Sequence, residues 1–165
     1  MSDFIAQFFF MKRITVVFLV IISSARISAA FSQSAPEKQM PVFNHTTIYV
    51  VDLEKSAAFY EKVIGIEKIA DPFKDGKHVW FRIGEHSQLH VVKGAASVAP
   101  HDINIHLSFS VGSLPNFMKH LDQMNVKYGN WNGDSKQTQL RPDGVHQIYF
   151  QDPEGYWIEV NDDKY

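Results

Sequence analysis

His45-Thr46-Thr47-Ile48-Tyr49-Val50-Val51-Asp52-Leu53 and His106-Leu107-Ser108-Phe109-Ser110-Val111-Gly112-Ser113-Leu114 are one segment written twice, 61 residues apart. Each alternates polar and apolar residues as a half-buried strand does, then reaches Asp52 or Ser113, residues suited to capping a helix. A second correspondence lies further along. Val79-Trp80-Phe81 answers Ile148-Tyr149-Phe150 and Leu89-His90-Val91 answers Ile158-Glu159-Val160, now at an offset of 69, so 8 residues have entered between the second helix and the strands after it.

The repeat predicts strand, helix and three strands, twice over: an α+β fold of two βαβββ modules, at about 42–98 and 102–163, within one domain spanning 42–163. In the first helix Leu53, Ala57, Tyr60 and Ile64 form an apolar face, and Gly65 ends it. In the second the expected buried face is Leu114, Phe117, Met118, Leu121 and Met124, with Pro115 tolerated in the first turn. Asp152-Pro153-Glu154-Gly155 reads as the turn between the last two strands.

Strand parity sorts the side chains. Because neighbours along a strand point to opposite faces, His45 shares a face with Thr47 and Tyr49, His90 with Gln88, His106 with Ser108 and Ser110, and Glu159 with Trp157 and Asn161. Ile48, Val50, Leu89, Val91, Leu107, Phe109, Val111, Ile158 and Val160 fall on the other face, where the helices pack. Both modules therefore carry metal-type side chains at matching points of a polar and aromatic face. Neutral imidazoles and one carboxylate suit Zn2+, Ni2+, Mn2+ or Fe2+ and leave positions for substrate oxygens. His45, His90, His106 and Glu159 are the candidate ligands of one divalent ion, with Glu159 and His90 the candidate catalytic groups.

Asn44-His45 opening a strand, Asp52-Leu53-Glu54-Lys55-Ser56-Ala57-Ala58-Phe59-Tyr60 with Gly65, the His106 strand and Asp152-Pro153-Glu154-Gly155-Tyr156-Trp157-Ile158-Glu159 resemble, in that order, the vicinal oxygen chelate superfamily. This group includes glyoxalase I, extradiol dioxygenases, fosfomycin-resistance enzymes, methylmalonyl-CoA epimerase and bleomycin-binding proteins. The resemblance implies curved mixed sheets forming an open cup with helices outside, and a metal-dependent lyase or isomerase acting on a small substrate through neighbouring oxygens. Two alternatives come with it: an Fe2+ ring-cleaving dioxygenase using His45, His106 and Glu159, and a binding protein that sequesters a metabolite or antibiotic without turnover. His90 departs from the glyoxalase pattern, which has a glutamate there. It is expected as a fourth ligand, a donor behind a ligand, a general base or a wall residue. The cup forms within one chain or across a homodimer.

Lys12-Arg13, the apolar run Ile14 to Ile22 and Ser28-Ala29-Ala30 read as the charged, hydrophobic and cleavage regions of a secretory signal over residues 1–30. Met11 is the alternative start, residues 31–41 form a polar linker, and the mature protein is expected in the periplasm or secreted. With no cysteine, disulfides, thiolate metal sites and a lipid anchor are excluded. A net charge of −2 with interspersed signs gives no basic stripe, so neither nucleic acid nor, after signal cleavage, a membrane is expected as partner. His78, His86, His101, His120 and His146 lack ligand-type repeat partners and read as surface or strand-edge residues. Arg141, Trp131 and Phe73 could reach over the open face.

Overall fold

The alternating run at Asn44 becomes β1 (His45–Val50), in which Ile48 and Val50 are buried while His45, Thr47 and Tyr49 are exposed. The structure is a computed structural model that describes residues 40–164. The segment expected to direct export, 1–30, and most of the expected linker, 31–41, lie outside the described residues. After β1 come α1 (Leu53–Phe59), β2 (Glu67–Ile69), β3 (His78–Arg82) and β4 (Gln88–Lys93). The second module repeats the order with β5 (His106–Ser110), α2 (Leu114–Gln123), β6 (Gln139–Leu140), β7 (His146–Gln151) and β8 (Trp157–Asn161). The chain is α+β, two βαβββ modules, as its repeat predicts.

Each module makes one four-stranded sheet, ordered β1-β4-β3-β2 and β5-β8-β7-β6. The first and last strands of each module pair in parallel, β1 with β4 and β5 with β8, and the other pairings are antiparallel. The inward faces of both sheets, with α1 and Leu114 and Leu121 of α2, join a single hydrophobic cluster. Phe81, Leu89, Val91, Ile148, Ile158 and Val160 are completely buried in it. At about 1.5–3 kcal/mol for each large apolar side chain removed from water, this cluster is the main source of stability. The opposite face of each sheet lines the cup; on the second sheet Gln147, Tyr149, Glu159 and Asn161 of that face are themselves buried.

Both helix starts follow the sequence. Asp52 Oδ1 accepts from Lys55 N at 3.0 Å and Ser113 Oγ from Asn116 N at 3.4 Å. Two details differ from the periodic reading. The first helix widens into a π-helical turn at Tyr60–Ile64, where the Tyr60 carbonyl accepts from Gly65 N at 3.1 Å, and Gly65 stops the chain at φ 81°. The wider turn rotates the last residues, so Val63 is buried and Ile64 only half-buried. In the second helix Met124 is the cap residue beyond the last full turn, and it is 39% exposed rather than core.

The Asp152-Pro153-Glu154-Gly155 turn does more than join β7 to β8. Asp152 Oδ1 accepts from Glu154 N at 2.8 Å and Tyr156 N at 2.9 Å, and Gly155 supplies the left-handed residue at φ 86°. Tyr60 OH, from the other module, donates to Asp152 Oδ2 at 2.9 Å. The buried Glu154 carboxylate reaches the same module, accepting from Val51 N at 3.0 Å and Asp52 N at 3.1 Å. One turn thus locks the β7–β8 hairpin to the start and the end of the first helix. His120 adds a second tie, its Nε2 donating to the Lys62 and Val63 carbonyls at 3.1 Å.

Replacing Glu154 by Ala leaves two part-buried backbone N–H groups without their acceptor. Since each unpaired group costs about 1–3 kcal/mol, Glu154→Ala should lower the urea midpoint by an amount equivalent to about 2–5 kcal/mol. Glu85→Ala, at a fully solvated position, should leave it unchanged. Equal midpoints for the two variants would remove the clamp from the account.

Candidate functional site

The register of the parallel pairs builds two equivalent half-sites. In the first sheet β1 lays His45 beside Gln88 and Thr47 beside His90, while β3 lays Trp80 on the far side of His90. The rings stack in order: His45 on His90 at 4.4 Å between centroids, and His90 on Trp80 at 3.8 Å. Asn44 Oδ1 accepts from His45 Nδ1 at 2.6 Å, which leaves Nε2 with its lone pair outward. His90 Nε2 donates to Gln88 Oε1 at 2.9 Å. Burial first, then the neighbouring imidazoles of His45 and His78, hold His90 below the ordinary histidine value, against an opposing pull from Asp71. His90 is therefore neutral at neutral pH, as a base or ligand must be.

In the second sheet the same positions hold His106 beside Trp157, Ser108 beside Glu159, and Tyr149 on the far side of Glu159. His106 Nδ1 donates to the Ile103 carbonyl at 2.7 Å, and its Nε2 lies 3.4 Å from Glu159 Oε2. The carboxylate is held from three sides. Asn161 Nδ2 donates to Oε1 at 2.7 Å, Ser108 Oγ to Oε1 at 3.1 Å, and Tyr149 OH to Oε2 at 2.7 Å. Burial pushes the Glu159 carboxyl up, but hydrogen bonds from Asn161, Tyr149 and Ser108 and the charge of His106 outweigh it, leaving it below the usual range. Glu159 is 6% exposed and ionised at neutral pH.

The four candidate ligands are thus brought together in two pairs, His45 with His90 and His106 with Glu159, each on the open face of its own sheet. Among the described residues, the group of three ligand-type side chains whose donor atoms all lie within 4.8 Å of one another is a different one, Asp71, Asp75 and His78, in the loop before β3. There Asp71 already accepts from Phe73 N and Lys74 N, and Asp75 from Lys77 N, so these carboxylates shape the loop. His78, at the start of β3, bonds Asp75 at 2.9 Å and lies 4.7 Å from Phe73. Arg141 pairs with Asp143 and approaches Asp163 at 3.9 Å, so its charge goes to its own rim. Trp131 meets Tyr149 edge-on at 5.4 Å, and Phe73 meets Trp80 at 6.0 Å.

Sequence reading overlooked the residues that hold these pairs. Trp80 and Tyr149 occupy the same place in the repeat, 69 residues apart, and each flanks its module's fourth-strand candidate. The repeat carried that signal in Val79-Trp80-Phe81 against Ile148-Tyr149-Phe150. What it lacked was the hairpin register that sets them opposite His90 and Glu159.

Glu159 supplies a pH test. Because its folded value is depressed, its stabilising contribution is present above the unfolded carboxyl value, about 4.3, and is lost as pH falls through the lower folded value. Tyr149→Phe removes a donor and lets the folded value rise, so acid unfolding followed by Trp fluorescence should begin at higher pH than in the unaltered protein. Coincident curves would show that the phenol does not hold the carboxylate.

Residues 42–160 match the family model of the Glyoxalase/Bleomycin resistance protein/Dioxygenase superfamily. The lactoylglutathione lyase of Pseudomonas putida is 25% identical over 161 residues, covering 78% of this chain and 89% of that protein. Among solved structures, the oxidase ChaP-H2 superposes with a TM-score of 0.63 at 20% identity, covering 77% of this chain and 97% of that one. The fosfomycin resistance protein FosX of Listeria monocytogenes does so with 0.58 at 20% identity, covering 74% and 93%. These structural likenesses show the fold. The matched span, the two βαβββ modules and the repeated open-face pairs together establish that this chain belongs to the Glyoxalase/Bleomycin resistance protein/Dioxygenase superfamily.

Proposed function

We propose that the protein is a divalent-metal-dependent lyase or isomerase acting on a small substrate with two neighbouring oxygens, and that His45, His106 and Glu159 hold the metal. One observation carries this reading: His106 Nε2 and Glu159 Oε2 converge on the same face of the second sheet. Their 3.4 Å separation is what two adjacent ligands adopt when each sits about 2.0–2.2 Å from one ion. The donor set fits as well, since the Nδ1 hydrogen bonds of His45 and His106 direct the outer nitrogens toward a ligand. A divalent ion held there would polarise substrate oxygens and ease removal of a proton from the carbon beside them.

The chain's own residues do the rest. Tyr149, Ser108 and Asn161 keep Glu159 ionised and fixed. Neutral His90, braced between His45 and Trp80, is the proton handler beside the first half-site. The two half-sites stand on separate sheets, so a second copy of the chain, setting its His106–Glu159 face against the His45–His90 face, would complete the site in a homodimer. A ring-cleaving dioxygenase remains the second reading, because two histidines and one carboxylate are also the donor set of non-haem Fe2+ enzymes.

Metal analysis of protein purified without a metal-affinity step should find one of Zn2+, Ni2+ or Mn2+ for the lyase, and Fe2+ for the dioxygenase. Metal-free protein with intact folding would favour a binder without turnover. Glu159→Gln should lose both metal and turnover. His90→Gln should keep metal and lose roughly 10²- to 10⁴-fold in turnover, the range for a general base.

Mixing His45→Ala with Glu159→Gln chains tests the dimer. If the site spans two copies, each mixed dimer regains one site with all its ligands, and metal binding returns. If the site lies within one chain, the mixture stays as poor as its parts. For export, we propose a mature chain beginning near Ala30 or Phe31; N-terminal sequencing from the native host that found Met1 or Ser2 would overturn it.

A further inference from the structure

A cavity of about 530 Å³ opens where the two modules meet, and none of the four candidate ligands lines it. Its volume lies within the roughly 300–1,000 Å³ of small-molecule sites. The walls come from α1 (Lys55, Phe59), from the segment after α2 (Tyr128 and its neighbours) and from the turn end of β7 and β8, where Trp157 stands. The lining is chiefly apolar and aromatic.

Its charge is one-sided. Asp152 is the cavity's one carboxylate, and both its oxygens are engaged, Oδ1 by Glu154 N and Tyr156 N and Oδ2 by Tyr60 OH. Lys55 of α1 and Lys127 of the segment after α2, both exposed, also line it. Among the described residues neither lysine has a carboxylate within 4.0 Å. Two ammonium groups beside an aromatic cleft are thus left without an anion from the protein.

The cleft is also preformed. Gly129 and Tyr149 exchange backbone hydrogen bonds at 3.0 and 2.8 Å, tying the post-α2 segment to β7. Asn130 and Asp134 close that segment on itself, Asn130 Nδ2 donating to Asp134 Oδ2 at 2.8 Å and Asp134 N to Asn130 Oδ1 at 2.9 Å. The fold is so tight that a Cβ at Gly129 would lie 2.6 Å from the Asp134 carbonyl oxygen. A wall pinned in this way gives up little conformational entropy when a ligand enters.

We propose that this cleft is a second binding site, separate from the metal half-sites, for a flat aromatic anion such as an aromatic carboxylate or sulfonate. Aromatic side chains would take the ring and the two lysines the charge. Tyr149 and Trp157 also connect the cleft to the second half-site, through the bond to Glu159 and the strand pairing with His106.

The probes are 8-anilinonaphthalene-1-sulfonate and its uncharged analogue N-phenyl-1-naphthylamine, titrated into the protein in EDTA, so that the outcome is independent of any metal. The sulfonate should saturate one site per chain and bind about tenfold more tightly than the neutral probe. Lys55→Gln/Lys127→Gln should erase that advantage, a loss of about tenfold expected for two partly solvated ion pairs, with neutral-probe affinity and thermal midpoint unchanged. Amide shifts should centre on Tyr128, Gly129 and Gly133. Equal affinities for the two probes, an unaltered sulfonate affinity in the double variant, or shifts confined to the His45–His90 face would each overturn the proposal.

Discussion

Parallel pairing of the first and last strand of each module is the constraint on which everything else rests. It sets β4 beside β1 and β8 beside β5, so that residues distant in sequence, Thr47 and His90 or Ser108 and Glu159, become lateral neighbours. A parallel pair cannot be closed by a tight turn. The chain between must make a long excursion, and here it contributes a helix and two antiparallel strands. The strict two-residue alternation then leaves no freedom: a slip of one residue would send His90 and Glu159 into the core and Val91 and Val160 to the open face.

Three buried carboxylates near the end of the chain show how environment divides labour among like groups. Asp152, Glu154 and Glu159 are all less than one-tenth exposed. Glu154 spends both oxygens on backbone N–H groups of the other module, and Asp152 spends its own on two backbone donors and Tyr60 OH. Their partners are backbone N–H groups and a tyrosine of the other module, so both serve as clamps. Glu159 accepts three side-chain donors and still turns Oε2 toward an imidazole. Glu159 thus differs from the two clamps in its partners: its donors come from its own sheet and an imidazole lies beside it.

The aromatic residues divide in a comparable way. Tyr60, Phe81 and Phe150 fill the shared interior, as the high aromatic content suggests. Trp80 and Tyr149 instead stand on the open faces, each braced against a candidate site residue: Trp80 offers a ring to stack on His90, and Tyr149 a hydroxyl to hold Glu159. The repeat keeps the position while the chemistry of the bracing residue follows that of its neighbour, a ring against a ring and a donor against an acceptor.

The two-module architecture was legible in the sequence because it depends on local periodicity: alternation in the strands, Asp52 and Ser113 at the helix starts, Gly65 and Gly155 where a left-handed residue is needed. The face on which His45, His90, His106 and Glu159 lie followed from parity alone. Three things required tertiary structure. The π-helical turn that exchanges Val63 for Ile64 comes from packing at the end of the first helix, since the residue spacing there is compatible with an ordinary helix. The clamp from Asp152 and Glu154 to the other module joins residues about a hundred positions apart, a distance over which no periodic pattern carries information. The separation of the candidate ligands into two pairs was likewise invisible, because parity says which face a side chain occupies and is silent on which sheet that face belongs to.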